Sequence, residues 1–229
     1  MIYDDVLPRD VMDELFEYVN SHPYRVVHDG GWRRVWRIGD GLPLTGSSTF
    51  FRGNGMYKQG EESRYPTATA IDKFIDAVRE LAKQGEGLLG DLGEARDVLA
   101  VRPWIYPRGA GLSLHRDRGY AGAFTYYLHR EWNFHWGGYL LVLDPSTGSH
   151  LDPNEENPKL IYPWLSDAEQ NRIACDPGVA TCIMPKPNRL VFMCRPAYHM
   201  ITRVDPDAGD RPRISIGGFF LRPDAEAAG

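Results

Sequence analysis

A chain of 229 residues with 42% hydrophobic and 12% aromatic content has enough apolar material for one good core and falls within the size of a single domain. Its 26 Lys and Arg stand against 31 Asp and Glu, with no long run of one sign, which excludes the basic footprint of a nucleic-acid binder. No stretch approaches the roughly 20 apolar residues of a membrane span, and the acidic opening MIYDDVLPRDVMDELF carries no targeting pattern, so a soluble, cytoplasmic protein is expected.

Along the chain, Val11, Leu15, Tyr18 and Val19 fall on one face at helical spacing, which predicts a short amphipathic helix from Asp10 to about Val19 with Asp10 as its cap. Residues 30–65 are rich in Gly and aromatics and read as short strands and turns. After Pro66, the recurrence of Ile71, Phe74, Ile75, Val78 and Leu81 predicts a second helix, capped by Thr67 or Thr69 and ending before the Gly-rich QGEGLLGDLG. From Val98 the pattern changes to short apolar or alternating runs: VLAVRPWIY, LSLH, AFTYYLH, GGYLLVL, CIMP, RLVFM, HMITRV and ISIGGFFL. Separated by Pro, Gly and Asn, such runs predict an all-β sandwich or barrel with the two helices packed outside. The polar segment from about Asp144 to Pro185 is too long for a hairpin loop and is either a surface excursion or a lid. Three cysteines, Cys175, Cys182 and Cys194, lack the spacing of a zinc site or disulfide framework and are expected as buried thiols.

The chemistry concentrates in Leu114-His115-Arg116-Asp117. Residues two apart on a strand share a face, so the His115 imidazole and the Asp117 carboxylate can converge on one ion. A His-x-Asp pair alone is a weak signal; the order of the residues downstream strengthens it. His199 lies after the run RLVFM, and Arg213 heads the run ISIGGFFL. Two imidazoles and one carboxylate on a β-scaffold make the facial triad that binds iron(II) and leaves open coordination positions. A guanidinium offers the planar fork that suits a distant carboxylate, and Ser215, on the same strand face as Arg213, can add a hydroxyl. His129 and His135 read as structural, at the surface or on the substrate side. His22, His28 and His150 read as solvated, and Trp132 and Trp136 as packing groups at the start of the next strand.

The landmarks WIYPRGAGLSLHRD, FTYYLHREWNFHWGGYLLV, PKPNRLVFM, YHMITRV and RPRISIGGFFL, taken together and in this order, resemble the prolyl-4-hydroxylase-like branch of the 2-oxoglutarate/Fe(II) oxygenases. The resemblance spans about residues 98–222, and implies a mainly β fold, a double-stranded β-helix or jelly roll, preceded by helical and substrate-side elements in residues 1–97 of one domain. It implies Fe(II) held by His115, Asp117 and His199, 2-oxoglutarate as cosubstrate and dioxygen as oxidant. It further implies that Tyr127 reaches the far carboxylate of the oxoacid beside Arg213, and that Tyr106 lies toward the metal-proximal end. By the same resemblance, an Asp at position 117 argues for hydroxylation or another oxidation, such as desaturation, epoxidation or ring formation, over halogenation. The turn VDPDAGDRP lengthens the gap between His199 and Arg213, which leaves Arg211 and Arg222 as rivals for the oxoacid. The expected substrate is a small molecule such as an amino acid or natural-product intermediate, with a peptide or protein target as the alternative. Trp32, Arg33, Arg34, Trp36 and Phe51 either wall its cavity or, in the plainer reading, serve as ordinary core and surface groups. Two competing readings are a non-enzymatic jelly-roll binding module and a cupin-like metal enzyme that needs no oxoacid. Nothing in the pattern sets an oligomeric state.

Overall fold

The computed structural model describes residues 1–27, 40–52, 62–85, 98–117, 120–144, 179–193 and 197–221. Before residue 98 lie β1 (Ile2–Tyr3), α1 (Arg9–Asn20), β2 (Arg25–Val26), β3 (Leu44–Thr45), β4 (Thr49–Phe51), β5 (Ser63–Arg64) and α2 (Ala70–Gln84). Beyond it come eight strands: β6 (Leu99–Tyr106), β7 (Leu112–His115), β8 (Gly122–Tyr127), β9 (Leu140–Leu143), β10 (Ala180–Ile183), β11 (Arg189–Met193), β12 (His199–Ile201) and β13 (Arg213–Phe220).

These eight divide between two antiparallel sheets, the jelly roll expected from the sequence. One sheet runs β10-β9-β12-β7, and the other contains β11-β8-β13-β6, extended by β1 at one edge and by β3, β2, β4 and β5 at the other. Alternation decides which residues face where. On β8, Phe124 and Tyr126 point to the helices and join Leu15, Val19, Phe74, Ile75 and Val78 in the main core. Tyr127, next in the chain and so of opposite phase, points the other way and joins Tyr106, Leu112, Leu140 and Ile201 between the sheets. The strand residues therefore serve two interiors, one against the helices and one against the opposite sheet.

Both helices bury the faces their spacing predicts, but neither uses the predicted cap. Helix α1 starts at Arg9 with Pro8 in the cap position and no side-chain capping bond, which leaves Asp10 in the first turn. Thr69 occupies the cap position of α2 without bonding through its side chain. Asp72, in the first turn, reaches back instead and accepts from the backbone N–H of Thr67 at 2.8 Å and of Ala68 at 2.7 Å. Asn188 ties the N-terminal segment to the barrel. At φ 60°, it accepts from Leu7 N–H and from the Tyr126 hydroxyl, and donates to Leu7 O. Phe51 sits in the main core beside Tyr65, which settles it as a packing residue; Trp32, Arg33, Arg34 and Trp36 lie outside the described residues. Cys182 is exposed rather than buried, because it stands on the edge strand β10; Cys175 and Cys194 lie outside the described residues. Most of the segment 144–185, with its possible lid, also lies outside them. No helix among the described residues is long and apolar enough to cross a membrane.

Candidate active site

In the smaller sheet, β12 lies between β9 and β7, and its register sets His199 directly opposite His115. Their rings stand 4.2 Å apart between centroids. Strand β7 ends at His115, so Asp117 comes after the strand instead of continuing it. Its carboxylate nonetheless turns back, with Oδ1 3.7 Å from His115 Nε2 and Oδ2 3.5 Å from His199 Nε2. All three ligand atoms lie within 4.8 Å of one another. Atoms sharing one ion at about 2.1 Å stand roughly 3.0 to 3.7 Å apart; the two carboxylate–imidazole separations fall in that range, and the three residues could hold a single metal.

The tautomers are set by the backbone. His115 Nδ1 lies 2.8 Å from Ser113 O, and His199 Nδ1 lies 3.0 Å from Ala197 O. A carbonyl only accepts, so each Nδ1 carries the proton and each Nε2 keeps its lone pair for the metal. The Ser113 hydroxyl in turn donates to Asp40 Oδ1 at 2.5 Å, and Asp40 is buried. Burial, with the neighbouring His199 adding to it, holds the His115 pKa down at about 3, so this ring is neutral and ready to ligate at ordinary pH. Burial pushes the Asp117 carboxyl up, opposed by His199.

Across the barrel, Arg213 opens β13 and is fully buried. Its Nε donates to Gly138 O and its Nη1 to Ser215 Oγ, both at 3.0 Å. The rings of Tyr106 and Tyr127 each lie 4.9 Å from its Cζ. Tyr106 thus stands against the guanidinium, opposite Arg213 in the β6–β13 register. Arg213 Nη2 and the Tyr127 hydroxyl are buried without a hydrogen-bond partner, and among the described residues no carboxylate forms an ion pair with Arg213. A buried, unpaired guanidinium is costly. The nest therefore fits an absent anion, and the planar fork suits a carboxylate.

One cavity of about 460 Å³ joins the two halves; His115, Asp117, His199, Tyr106, Arg213 and Ser215 all line it. Tyr127 meets Ser215 in the adjacent register and approaches the guanidinium from behind. Of the rival arginines, Arg211 is exposed and bonds Glu131, and Arg222 lies outside the described residues. His129 is not at the surface: it is buried, with Nε2 2.9 Å from Pro185 O, a structural role. His135 is exposed in a short 3-10 turn. His22 is partly buried against Tyr18 rather than simply solvated; His28 and His150 lie outside the described residues. Trp132 and Trp136 pack on the inter-sheet core at the start of β9, as expected.

Sequence reasoning missed Gly138 and Asp40. Gly138 has φ +68°, and a Cβ there would lie 2.9 Å from Arg213 Cδ. The carbonyl that holds the guanidinium therefore has to come from a residue without a side chain. The Gly-Gly pair before YLLV was the available signal. Asp40 had none, since it meets Ser113 only through the fold.

No family model matches the sequence, and no curated protein does either. Solved structures do match. A Pseudomonas putida prolyl-4-hydroxylase superposes with a TM-score of 0.59 at 18% identity, over 97% of this chain and 92% of that one. A Trichoplax adhaerens prolyl hydroxylase, solved in complex with a hypoxia inducible factor oxygen degradation domain peptide fragment, gives 0.59 at 17% identity, over 96% and 82%. A Burkholderia pseudomallei oxidoreductase of the 2OG-Fe(II) oxygenase family gives 0.52 at 10% identity, over 96% and 84%. At these identities the likeness shows the fold alone, the double-stranded β-helix.

Proposed function

We propose that this chain is an Fe(II)- and 2-oxoglutarate-dependent dioxygenase that hydroxylates an unactivated C–H bond. His115, Asp117 and His199 hold the iron, and Arg213 binds the far carboxylate of the oxoacid. The observation that carries this reading is the pairing of two incomplete sites in one cavity: three ligand atoms gathered for an ion, and a buried guanidinium with an orphaned N–H beside an orphaned phenol. A binding module has no use for that combination, and a metal enzyme without an oxoacid has no use for Arg213. Dioxygen would be the oxidant: bound iron and 2-oxoglutarate would supply the chemistry that activates it, one oxygen atom passing to succinate as carbon dioxide leaves and the other to the C–H bond.

The chain's own part is positioning. Ser113 O and Ala197 O fix the two imidazoles in the ligating tautomer. Gly138 O and Ser215 Oγ fix the plane of the guanidinium, and the Tyr127 hydroxyl, buried without a partner on a ring packed against that guanidinium, is the second donor proposed for the same carboxylate. Leu112, Leu140 and Ile201 wall the space between with apolar surface, which keeps water from the reacting atoms.

The substrate proposed is a small molecule. A peptide target has one observation in its favour, the peptide-bound state of the Trichoplax structure. The test of the activity is spectroscopic. Mixing metal-free protein with iron(II) and 2-oxoglutarate without oxygen is expected to give the weak visible charge-transfer band of the chelate. The band should be lost in His199→Ala and should need far more oxoacid in Arg213→Ala; a parent protein without the band sinks the reading. Screening small molecules and peptides for stimulated succinate release then separates the two substrate classes.

A further inference from the structure

The face that the larger sheet turns to the cavity is graded along its strands. On β13, Arg213 and Ser215 are buried, whereas Gly217 and Phe219, next on the same face, are partly exposed. On the two neighbouring strands Tyr106 and Tyr127 are buried beside the guanidinium, while Trp104, Arg102 and Thr125 are partly exposed. The cavity is thus closed around the oxoacid nest and open farther along.

The ion cluster stands toward the open part. Ala110, Val204 and Ala208, all fully buried, pack behind the nest with Tyr106 and Tyr127. Away from that plug, β7 leads from Leu112 to His115 and β12 from Ile201 to His199. In the same sense β13 leads from Arg213 to Gly217, and β6 from Tyr106 to Arg102. What the ligands face across the cavity is therefore the open half of the larger sheet.

That half has a floor of small residues. Gly217 pairs with Thr125, and Phe219, one row on, pairs with Ala100 on one side and Ala123 on the other; all five line the cavity. Arg102, the long side chain in these rows, turns to the buried Ser48, whose Oγ accepts from its Nε at 2.8 Å. The walls are apolar. Trp104 reaches diagonally over position 217, where a Cβ would meet its Nε1 at 2.9 Å. Phe219 stacks on Tyr120 with 4.0 Å between centroids, and Met193 stands opposite Ala123. We infer that this trough receives a saturated hydrocarbon group of the substrate, a small ring or a branched chain, and that Gly217 and Ala123 set the size it accepts. Such a group gains from leaving water and asks nothing of the walls, whereas a polyol of the same shape leaves hydroxyls unpaired there. The inference rests on the oxygenase reading only for its consequence, that the carbon oxidised belongs to this group. The group can be part of a free small molecule or an aliphatic side chain of a peptide, and the test separates the two.

Full-length protein is loaded with Zn(II) in place of iron and saturated with 2-oxoglutarate, so that binding is read without turnover. Ligand-observed NMR compares cyclohexanol with myo-inositol, the same ring with a hydroxyl on every carbon, and short peptides containing Leu with their Asn counterparts. In at least one arm the hydrocarbon is expected to bind tenfold or more tightly than its polar partner, and the arm that shows it tells a free molecule from a side chain. Ala123→Val and Ala123→Leu fill the trough in two steps and should lower that affinity stepwise, at least tenfold for the larger. Gly217→Ala, whose Cβ displaces the indole, should lower it as well. Thr125→Val keeps the shape, removes the hydroxyl and should leave the preference in place. Calorimetric titration of 2-oxoglutarate on each variant, expected within twofold of the parent, shows that the nest and the fold survive. Polar partners bound as well as hydrocarbons, no binding in either arm, a preference lost in Thr125→Val, or an affinity untouched by filling overturns the inference. A parent that fails to bind 2-oxoglutarate removes the oxygenase reading instead, while a hydrocarbon preference lost in Ala123→Leu still marks the trough.

Discussion

The two imidazoles and the guanidinium are aimed by neighbouring carbonyls and a hydroxyl, and those neighbours are where the proposed chemistry is most easily tested. Gly138→Ala puts a methyl against Arg213 Cδ at a backbone angle that L-residues rarely adopt. The guanidinium has to swing, and the half-saturating concentration of 2-oxoglutarate is expected to rise at least about tenfold, read by titration of the chelate band; an unchanged curve removes the Gly138 carbonyl from the binding geometry. His129 gives a pH signature. Burial holds its pKa at about 4, below the ordinary 6.5. As pH falls through that window the unfolded chain takes up the proton before the native one does, so native stability is lost progressively from about pH 6.5 downward, by up to about 3 kcal/mol. In metal-free His129→Gln, urea denaturation between pH 7 and 4 should show a shallower loss. At this scale the gathering of His115, Asp117 and His199 was legible in the residue types and their order along the chain, as was the burial of an arginine at the head of ISIGGFFL. What hid were contacts between residues distant in sequence, such as Asp40 with Ser113 and Arg102 with Ser48, where neither partner carries a local pattern.

Elements were easier to read than their ends. The apolar repeat of α2 is plain in the sequence, but its cap was assigned to Thr67 or Thr69 when the bonds to the preceding turn come from Asp72. A threonine before a helix and an aspartate in its first turn are both common capping signals, and only geometry chooses between them. Asp72→Ala is expected to cost about 1 to 2 kcal/mol in chemical denaturation, whereas Thr69→Ala, which removes no described capping bond, should cost clearly less. The end of β7 teaches the same lesson. Alternation put Asp117 on the face of His115, yet the strand stops at His115 and the carboxylate arrives by a turn. The convergence was correct and the path was not.

For the whole molecule, the expected two-sheet barrel with helices on one side is what forms, since the break from a period near 3.6 to short alternating runs at Val98 marks the change of architecture. Filling the shared cavity should be felt globally. A ligand at a hundred times its dissociation constant stabilises the native state by about 2.7 kcal/mol, which for a chain of this size raises the melting temperature by roughly 5 to 10 °C. Zinc with 2-oxoglutarate should produce that rise in the parent, while Arg213→Ala should keep only the part due to metal; equal rises would place the oxoacid elsewhere. The ion cluster stands on β7 and β12 of one sheet, and the guanidinium on β13 of the other. A dicarboxylate that touches both thus spans the gap between two stacked layers, and the spacing of those layers becomes a gauge of chain length. In the proposed oxygenase, oxaloacetate, one methylene short, is expected to stop before the fork, and 2-oxoadipate, one methylene long, to buckle, both read as weaker competition for the chelate band. On that proposal, discrimination among homologous diacids would come from the distance at which the barrel holds its walls apart.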